Sequence, residues 1–256
     1  MMRALKRFFI SSSLAPQITH AQPKINTVLL PREETHHLKN VLRMKKGELC
    51  LLFDSEGHEC VSRIERYRQD SQTELSVVES VSKSQTQISS LRLRIAQAIP
   101  QDRKMDEIVR QATELGVDEL IPLMTERTMV RISEAKSAKV TQRWQRISDQ
   151  TLKQSRLARA PRILEPITFN NLCQNLRSQD HIFILDTSSE AVPAKDLISE
   201  PIHDLLLIIG PEGGFSPSEI GKAKELGAKR VSLGSGILKT DTAFVAAASL
   251  FKLMWS

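Results

Sequence analysis

Two segments near the carboxyl end of this chain of 256 residues follow one plan, in which a strand-like run ends at a glycine-bearing loop. The apolar run 204–209 stops at the loop 210–214 (GPEGG), and the run 229–233 stops at the loop 234–240. Continuous apolar runs of this length are typical of buried parallel strands. Because ligands of open α/β sheets bind beyond the carboxyl ends of the strands, the two loops predict a shared binding pocket.

A helix is predicted after each loop. The segment 216–219 (SPSE) has the capping-box pattern with proline at the first helical position, and it predicts a helix that ends before Gly227. Thr240 or Asp241 is predicted to cap a final helix over 243–255, which is apolar on most faces. Such a helix should be buried against another element or a second subunit.

The glycine pattern argues against the common nucleotide loops. Neither loop ends in the Gly-Lys-Ser/Thr of a P-loop, and neither forms Gly-x-Gly-x-x-Gly after an early strand. Any single glycine here is explained by a turn between strand and helix. Five glycines in two loops, three of them around Glu212, favour a ligand.

Several segments in chain order resemble one known family. They are 2–9 (MRALKRFF), 37–48, 112–127, 209–220 (IGPEGGFSPSEI) and 233–243 (LGSGILKTDTA). On these segments the chain resembles the SPOUT methyltransferases. The best match is ribosomal small-subunit methyltransferase E, a family that methylates N3 of a uridine in 16S rRNA.

The resemblance implies an α/β fold: a SPOUT trefoil-knot methyltransferase domain with a mostly parallel sheet, preceded by a small PUA-like β-barrel domain. The residue pattern itself agrees with two domains, because residues 1–80 contain short segments of alternating apolar and polar residues, which are typical of a β domain. From 91 to 256 strands and helices alternate, as in an α/β domain. The polar, serine-rich stretch 81–90 is predicted to be a linker.

The resemblance also implies that S-adenosylmethionine is the cofactor, held mostly through backbone groups of the two loops. Glycine allows the backbone to approach a ligand closely. The residues carried over as cofactor-binding are Leu185, Gly210, Glu212, Gly213, Gly214, Leu233, Gly234, Ile237 and Leu238.

Methyl transfer to a uracil nitrogen requires that the nitrogen first lose its proton. Catalysis then depends on positioning the base, stabilising its negative charge and excluding water. Lys239 is predicted to stabilise the anion, with Arg127 as a second candidate. Asp241 is predicted to orient Lys239 or to accept the proton, and a role as a helix cap is an equally good interpretation.

The charge distribution suits an RNA partner. The chain has 36 Lys and Arg against 30 Asp and Glu, and the excess is concentrated in residues 1–46 (nine basic, two acidic) and 139–162 (seven basic, one acidic). Neutralised phosphates release counterions and so raise affinity for nucleic acid, although either stretch alone is also explained as a solvated surface. An aromatic content of 4% argues against base stacking as the main binding mode. The predicted RNA-binding residues are Arg3, Arg7, Arg43, Lys45, Arg156 and Arg159.

The remaining composition argues against a metal or a membrane. Three cysteines without paired spacing predict neither a zinc site nor a disulfide framework, and they favour a reducing compartment. No apolar run is long enough to span a membrane. The start 1–15 has the composition of an organellar transit peptide, but the family match begins at Met2, so we predict a mature domain and a cytoplasmic protein.

The resemblance implies two partners: 16S rRNA in the small ribosomal subunit, and a second copy of the chain in an antiparallel homodimer. The family usually reads Leu-Gly-Pro-Arg-Ile-Leu-Arg-x-Glu-Thr, where this chain has Ser235, Gly236, Lys239 and Asp241. A Glu-Gln-Ser-x-Arg segment begins here with Lys153. Three interpretations therefore stay open: a 16S rRNA uridine-N3 methyltransferase, a SPOUT methyltransferase for another RNA site, and a non-catalytic RNA-binding relative.

Overall fold

The computed structural model describes residues 5–10, 27–55, 57–81, 91–155, 157, 159–176, 181–197 and 202–255. The chain divides into two compact units. One comprises Met1–Gln87 together with Leu152–Ala160, and the other comprises Ile88–Thr151 together with Pro161–Ser256. The return of Leu152–Ala160 to the first unit is a long-range arrangement that local sequence patterns do not encode.

The first unit contains a five-stranded sheet in the order β1-β3-β4-β5-β2. β1 pairs with β3 in parallel, and the other pairs are antiparallel. A short helix, α1 (Arg32–His36), continues into a π-helical turn, His37–Val41. The strands are β1 (Lys6–Phe9), β2 (Thr27–Leu30), β3 (Leu49–Phe53), β4 (Glu59–Tyr67) and β5 (Thr73–Val81).

Alternation along these strands separates a buried face from a solvent face. In β2, Val28 and Leu30 are buried and their neighbours are exposed, as the two-residue period of a strand requires. The predicted small β domain is confirmed, and its core consists of Phe8, Ile10, Val28, Leu30, Leu38, Cys50, Leu52, Cys60, Ile64 and Leu75.

The second unit is built on a parallel sheet in the order β11-β13-β10-β12-β6-β7-β8, with β9 beside β7. Its strands are β6 (Arg92–Ala98), β7 (Glu119–Met124), β8 (Arg162–Ile163), β9 (Ile167–Thr168), β10 (His181–Leu185), β11 (Val192–Pro193), β12 (Asp204–Ile209) and β13 (Lys229–Ser232). Its helices are α2 (Lys104–Glu114), α3 (Glu134–Ser155, whose last turn belongs to the first unit), α4 (Phe169–Asn175), the 3₁₀ turn Ala194–Leu197, α5 (Pro217–Glu225) and α6 (Thr240–Met254).

The central strands are buried on both faces, which explains their continuous apolar sequence. In β12, Leu205, Leu207 and Ile209 belong to one hydrophobic cluster. Leu206 and Ile208 belong to the cluster on the other side of the sheet. The connection from β12 through α5 leads to β13 on the far side of β10, which brings the ends of all three strands together.

The ends of α5 follow the local chemistry of its sequence. Ser216 caps the helix by accepting from the amide of Glu219, and the Glu219 side chain accepts from the amide of Ser216. Leu226 ends the helix and Gly227 has a positive φ of 81°. The predicted capping box, the proline at the first position and the glycine stop are confirmed.

The predicted caps of the final helix are wrong. α6 begins at Thr240, its N-cap is Lys239, and no side chain caps it. Thr240 is buried in the first turn, where its side chain packs inside the unit instead of closing the helix end. The carbonyl of Lys239 accepts from the amide of Ala243 at 2.8 Å, so the helix starts three residues earlier than predicted.

One face of α6 is buried within the chain itself. Phe244, Ala247, Ala248 and Phe251 lie in the unit's core, where the Phe251 ring stacks on Trp255. The opposite face includes Leu253, which is 79% exposed. The helix is therefore partly buried by its own unit, and Leu253 remains an exposed apolar side chain on its outer side.

Candidate functional site

Three loops meet where β13, β10 and β12 end side by side. They follow Leu185, Ile209 and Ser232 at the carboxyl edge of the sheet, the place where open α/β sheets bind ligands. A cavity of about 260 Å³ lies between them, close to the smaller small-molecule sites, which start at about 300 Å³. It is lined by Leu185, Asp186, Thr187, Ile209, Gly210, Pro211, Glu212, Gly213, Gly214, Phe215, Val231, Leu233, Gly234, Gly236, Ile237, Leu238, Thr240 and Ala243.

The cavity lining is mainly apolar side chain and loop backbone. Such a surface suits a flat, partly apolar ligand that is fixed in orientation by main-chain N–H and C=O groups. Ile237 is 88% exposed although it is large and apolar, so its side chain offers unpaired apolar surface to a ligand. Gly234 has a φ of 136°, a backbone conformation that residues other than glycine rarely adopt.

The loop 210–214 is shaped by close contacts. A Cβ at Gly210 would come within 2.9 Å of the Phe215 ring, so glycine is required there by space. The amide of Gly214 donates to the carbonyl of Pro211 at 2.9 Å, closing a turn in which Gly214 has a φ of 67°. The Arg127 guanidinium donates to the carbonyl of Gly213 at 2.8 Å.

The loop after β10 is held by an ion-pair cluster. Arg230 on β13 donates to Asp186, Ser188 and Glu190. Asp186 also accepts from the amides of Thr187 and Ser188. Burial raises the pKa of Asp186, but the hydrogen bonds from Ser188 and Arg230 outweigh burial and lower its pKa below the usual 3.8.

All nine residues predicted to bind the cofactor line this one cavity. Five of them are glycines or Glu212 in the loops after β12 and β13. The four apolar ones are Leu185 at the end of β10 and Leu233, Ile237 and Leu238 after β13. Their position fits the predicted group, because the glycines leave room for a close backbone approach and the leucines and Ile237 give an apolar lining. Their role as ligands remains a prediction.

The three residues predicted to be catalytic are not among the cavity-lining residues. Lys239 is exposed at the start of α6, directly after the lining residue Leu238. Asp241 lies in the first turn of α6, and its buried Oδ1 has no hydrogen-bond partner among the described residues. Arg127 lines an adjoining cavity of about 440 Å³ that shares Asp186 and Phe215 with the first.

Arg7, predicted to contact RNA, is occupied within the first unit. Its guanidinium donates to Glu59 at 2.8 Å and lies 4.4 Å from the centre of the Phe53 ring. Both charged groups are largely buried, at 17% and 14% exposure. These contacts give Arg7 a structural role in the β domain, which its sequence neighbourhood of basic residues does not reveal.

The other predicted RNA-binding residues divide by position. Arg43, with a φ of 52°, and Lys45 are exposed in the turn before β3, and Arg159 is also exposed. Arg3 and Arg156 lie outside the described residues.

Lys153, which reverses the charge that the family segment usually carries, makes an ion pair with Glu34 in the first unit. Its ammonium also lies 5.3 Å from the centre of the Phe9 ring. The charge reversal is therefore accompanied by an acidic partner in this chain.

Nine lining residues are not among those predicted to bind the cofactor: Asp186, Thr187, Ile209, Pro211, Phe215, Val231, Gly236, Thr240 and Ala243. Asp186 and Thr187 directly follow β10, so the rule that sites form at strand ends points to them once β10 is placed beside β12. Phe215 directly follows the loop 210–214, and Thr240 is the last residue of the predicted loop 234–240. The strand order, rather than a motif, is the signal that would have included them.

Cysteine, metal-binding and membrane-spanning features do not provide a second candidate site among the described residues. Burial, together with the nearby Cys60 thiol, raises the pKa of Cys50 to about 12, so this thiol is not a nucleophile near neutral pH. Across the described ranges, no group of three or more His, Cys, Asp or Glu is arranged to hold a metal ion. None of the described helices combines the length and apolar character needed to cross a membrane.

Comparison with known proteins finds a matching family model for each of the two units. A family model described as an RNA methyltransferase domain matches residues 87–252, and a model described as an RNA methyltransferase PUA domain matches residues 30–66. The predicted fold class, a parallel α/β methyltransferase domain preceded by a PUA-like β domain, is confirmed.

Named relatives and solved structures agree over nearly the whole chain. Ribosomal RNA small subunit methyltransferase E of Aquifex aeolicus is 34% identical over 227 residues, covering 88% of this chain and 93% of the relative. The Bacillus subtilis protein of the same name is 27% identical over 245 residues, covering 93% of each.

Among solved structures, ribosomal RNA small subunit methyltransferase E from Neisseria gonorrhoeae, bound to S-adenosyl methionine, has a TM-score of 0.81 at 28% identity and 98% coverage of both chains. A putative methyltransferase from Legionella pneumophila with bound SAM has a TM-score of 0.79 at 29% identity, again with 98% coverage of both chains. Two sequence-matched domains in the right order, relatives covered almost end to end, and a fold shared along its full length lead to one assignment: the chain belongs to the ribosomal RNA small subunit methyltransferase E family.

Proposed function

We propose that the chain transfers a methyl group from S-adenosylmethionine to N3 of a uridine in 16S rRNA, uridine 1498 in the usual ribosomal numbering. One observation carries the proposal. The nine residues that the sequence predicts for the cofactor line a single cavity at the carboxyl edge of the sheet. Family membership and relatives with bound S-adenosylmethionine support the same chemistry.

The cofactor would be held by the loops after β12 and β13. The apolar side chains Leu185, Leu233 and Leu238 would pack on it, and the backbone of Gly210 and Gly234 would approach it closely. When bound, S-adenosylmethionine supplies an electrophilic methyl group. The chain's own contribution is to fix the geometry of the site and to exclude water from it.

The uracil N3 must lose its proton before it becomes a nucleophile. Asp241 is our candidate to accept that proton, because its buried Oδ1 lacks a hydrogen-bond partner among the described residues and buried acceptors without partners are uncommon. Lys239, exposed two residues earlier, would stabilise the negative charge on the base. The N-terminal end of α6 would then carry both groups, with the cation at the N-cap and the proton acceptor in the first turn.

RNA binding would rest on the exposed basic residues of the first unit. Arg43 and Lys45 project from the turn before β3, where side chains without large packing roles can pair with phosphates. Changing either to Ala should weaken RNA binding modestly and reduce the salt slope by about one unit. The affinity for the cofactor should not change.

We also propose that the chain acts as a homodimer in the cytoplasm, where ribosomal subunits are its substrate. The outer face of α6 carries the exposed side chain of Leu253, which a second copy would cover, and the neighbouring Leu250 is only partly packed against the chain's own core. A substitution at Phe244 would not test the dimer, because Phe244 is fully buried in the chain's own core. Leu253→Glu should instead give a folded monomer in light scattering, and a wild-type monomer with full activity would contradict the dimer.

The decisive experiment compares 16S rRNA from cells with and without the gene by mass mapping of modified nucleosides. Loss of one 3-methyluridine at the proposed position, restored by the wild-type gene but not by Asp241→Asn, supports the proposal. Loss of a different methylated nucleoside would assign another RNA site. An unchanged rRNA, with RNA binding retained, would make the chain a non-catalytic relative whose loop residues Ser235 and Gly236 no longer support transfer.

A further inference from the structure

The loop 210–214 is held in place by a second loop, Thr125–Thr128, which follows β7. The Arg127 guanidinium donates through Nη1 to the carbonyl of Gly213 at 2.8 Å. The amide of Glu126 donates to Oε1 of Glu219 at 2.8 Å. Two hydrogen bonds from successive residues therefore connect this loop to the segment that forms one wall of the cofactor cavity.

The loop Thr125–Thr128 is closed by hydrogen bonds of its own. Both threonines are buried, with their hydroxyl groups 2.8 Å apart, and the Thr128 hydroxyl also lies 3.0 Å from the amide of Thr125, which donates to it. The amide of Thr128 donates back to the carbonyl of Thr125 at 3.3 Å. A turn closed by buried side chains presents Glu126 and Arg127 in one fixed arrangement.

Glu219 joins the turn to the helix that follows the cofactor loop. Glu219 is 3% exposed, and its two carboxylate oxygens accept from different backbone amides, Oε1 from Glu126 and Oε2 from Ser216. A buried carboxylate is stabilised by such amide donors and by its place in the first turn of α5. Glu219 thus fixes the end of the cofactor loop relative to β7.

We infer that Arg127 and Glu219 are positioning residues that hold the loop 210–214 in its ligand-binding shape. This inference rests on the proposed function, because it assigns them to the cofactor site of that reaction. Arg127 acts through the backbone of Gly213, which lines the cofactor cavity, whereas Arg127 itself does not line it. The side-chain carbons of Arg127 also pack over Gly213, 3.5 Å from where a Cβ would lie.

The first test measures the affinity of S-adenosylhomocysteine by calorimetry, without RNA. Arg127→Ala should weaken it about tenfold, because a charge-assisted hydrogen bond that shapes the loop is lost. Arg127→Lys should recover part of that loss, since an ammonium can still donate to the Gly213 carbonyl. Arg110→Ala, which removes another exposed arginine of this unit that pairs with Glu107, is the matched control and should leave the affinity unchanged.

The second test measures hydrogen exchange in the protein without ligand. Arg127→Ala should speed exchange at the amide of Gly214, and Glu219→Gln should speed exchange at the amides of Glu126 or Ser216. The isosteric amide turns one acceptor into a donor that faces an N–H group, so one of the two bonds must break. Glu225→Gln, at the end of the same helix, is the control and should change neither amide.

The outcomes separate this inference from the proposed function. Unchanged ligand affinity in Arg127→Ala, with a lower kcat, would place Arg127 on the reacting atoms and overturn the inference. If the wild-type chain binds no S-adenosylhomocysteine, the proposed function fails, and the exchange of the Gly214 amide alone decides whether Arg127 positions the loop. Unchanged exchange in both variants overturns the inference under either result.

Discussion

The two glycine loops of the cavity are built in different ways. The loop 210–214 is held from outside by Arg127, followed by a complete capping box, and packed at Gly210 against the Phe215 ring. The loop 234–239 is exposed along its whole length, and the helix after it starts without a side-chain cap. One wall of the cavity is therefore fixed by the protein, and the other presents free backbone and an exposed Ile237.

This difference separates two requirements of a binding site. A fixed wall lowers the cost of ordering the site when the ligand binds, and an open wall lets the ligand enter and be covered. Glycine meets different needs at two of these positions: space at Gly210 and a positive φ at Gly234. Substitutions in the loop 210–214 should therefore mainly lower the free energy of unfolding, and substitutions in the loop 234–239 should mainly lower the affinity for the ligand.

The largest expected effect is at Gly210. Gly210→Ala places a Cβ 2.9 Å from the Phe215 ring, which packs against Phe169 and cannot retreat freely. Overpacking of this kind should lower the free energy of unfolding by about 1–3 kcal/mol in denaturant titrations. Gly236→Ala, where a Cβ would meet nothing within 4 Å, is the control and should change the unfolding free energy little.

A smaller loss is expected at Gly234, whose φ of 136° disfavours any side chain. Gly234→Ala should cost about 1 kcal/mol of local backbone strain, and the loop can relieve it by moving because a Cβ meets nothing within 4 Å. Affinity for S-adenosylhomocysteine should fall more than stability does, while far-ultraviolet dichroism stays native. A loss of unfolding free energy as large as that of Gly210→Ala would show that both loops are equally fixed.

The same contrast shows what the sequence can predict. The run 204–209 is observed as β12 with the predicted bounds, because a continuous apolar strand needs no information beyond its own residues. The capping box of α5 is also local, since Ser216 and Glu219 are three residues apart. The two glycine loops also predict the position of the cavity, because the carboxyl ends of parallel strands lie at one edge of the sheet.

Features that depend on distant partners were not predictable in this way. Arg127 is 86 residues from the carbonyl it binds, and Arg7 is 52 residues from Glu59. The sequence predicts a catalytic role for Arg127 and RNA binding for Arg7, because nothing local marks their partners within the chain. The predicted start of α6 is wrong for a related reason: Thr240 resembles a cap in sequence, but it is buried in the first turn of the helix.

The loop after β10 is held by side-chain contacts, as the loop 210–214 is. The pH dependence of the unfolding free energy should show the contribution of these contacts. The pKa of Asp186 is lowered in the folded chain, so its ionised form stabilises the fold. That contribution is complete above the ordinary pKa of about 4 and is lost as the pH falls through the lower folded value. The gap in unfolding free energy between wild type and Asp186→Asn should be constant from about pH 5 to 8 and narrow below about pH 4. A gap that widens in acid would contradict the cluster with Arg230.

The smallest effect on folding is expected at Ile237, in the open wall. Its side chain is 88% exposed, so Ile237→Ser removes little buried surface and should change the unfolding free energy by less than about 0.5 kcal/mol. The same change removes apolar area that a bound ligand would cover, and the affinity for S-adenosylhomocysteine should fall about fivefold. Met129→Ser, at a side chain 75% exposed that does not line the cavity, should alter neither quantity. If Ile237→Ser destabilised the chain without weakening the ligand, the open wall would be part of the folded core, and the distinction between the two loops would fail.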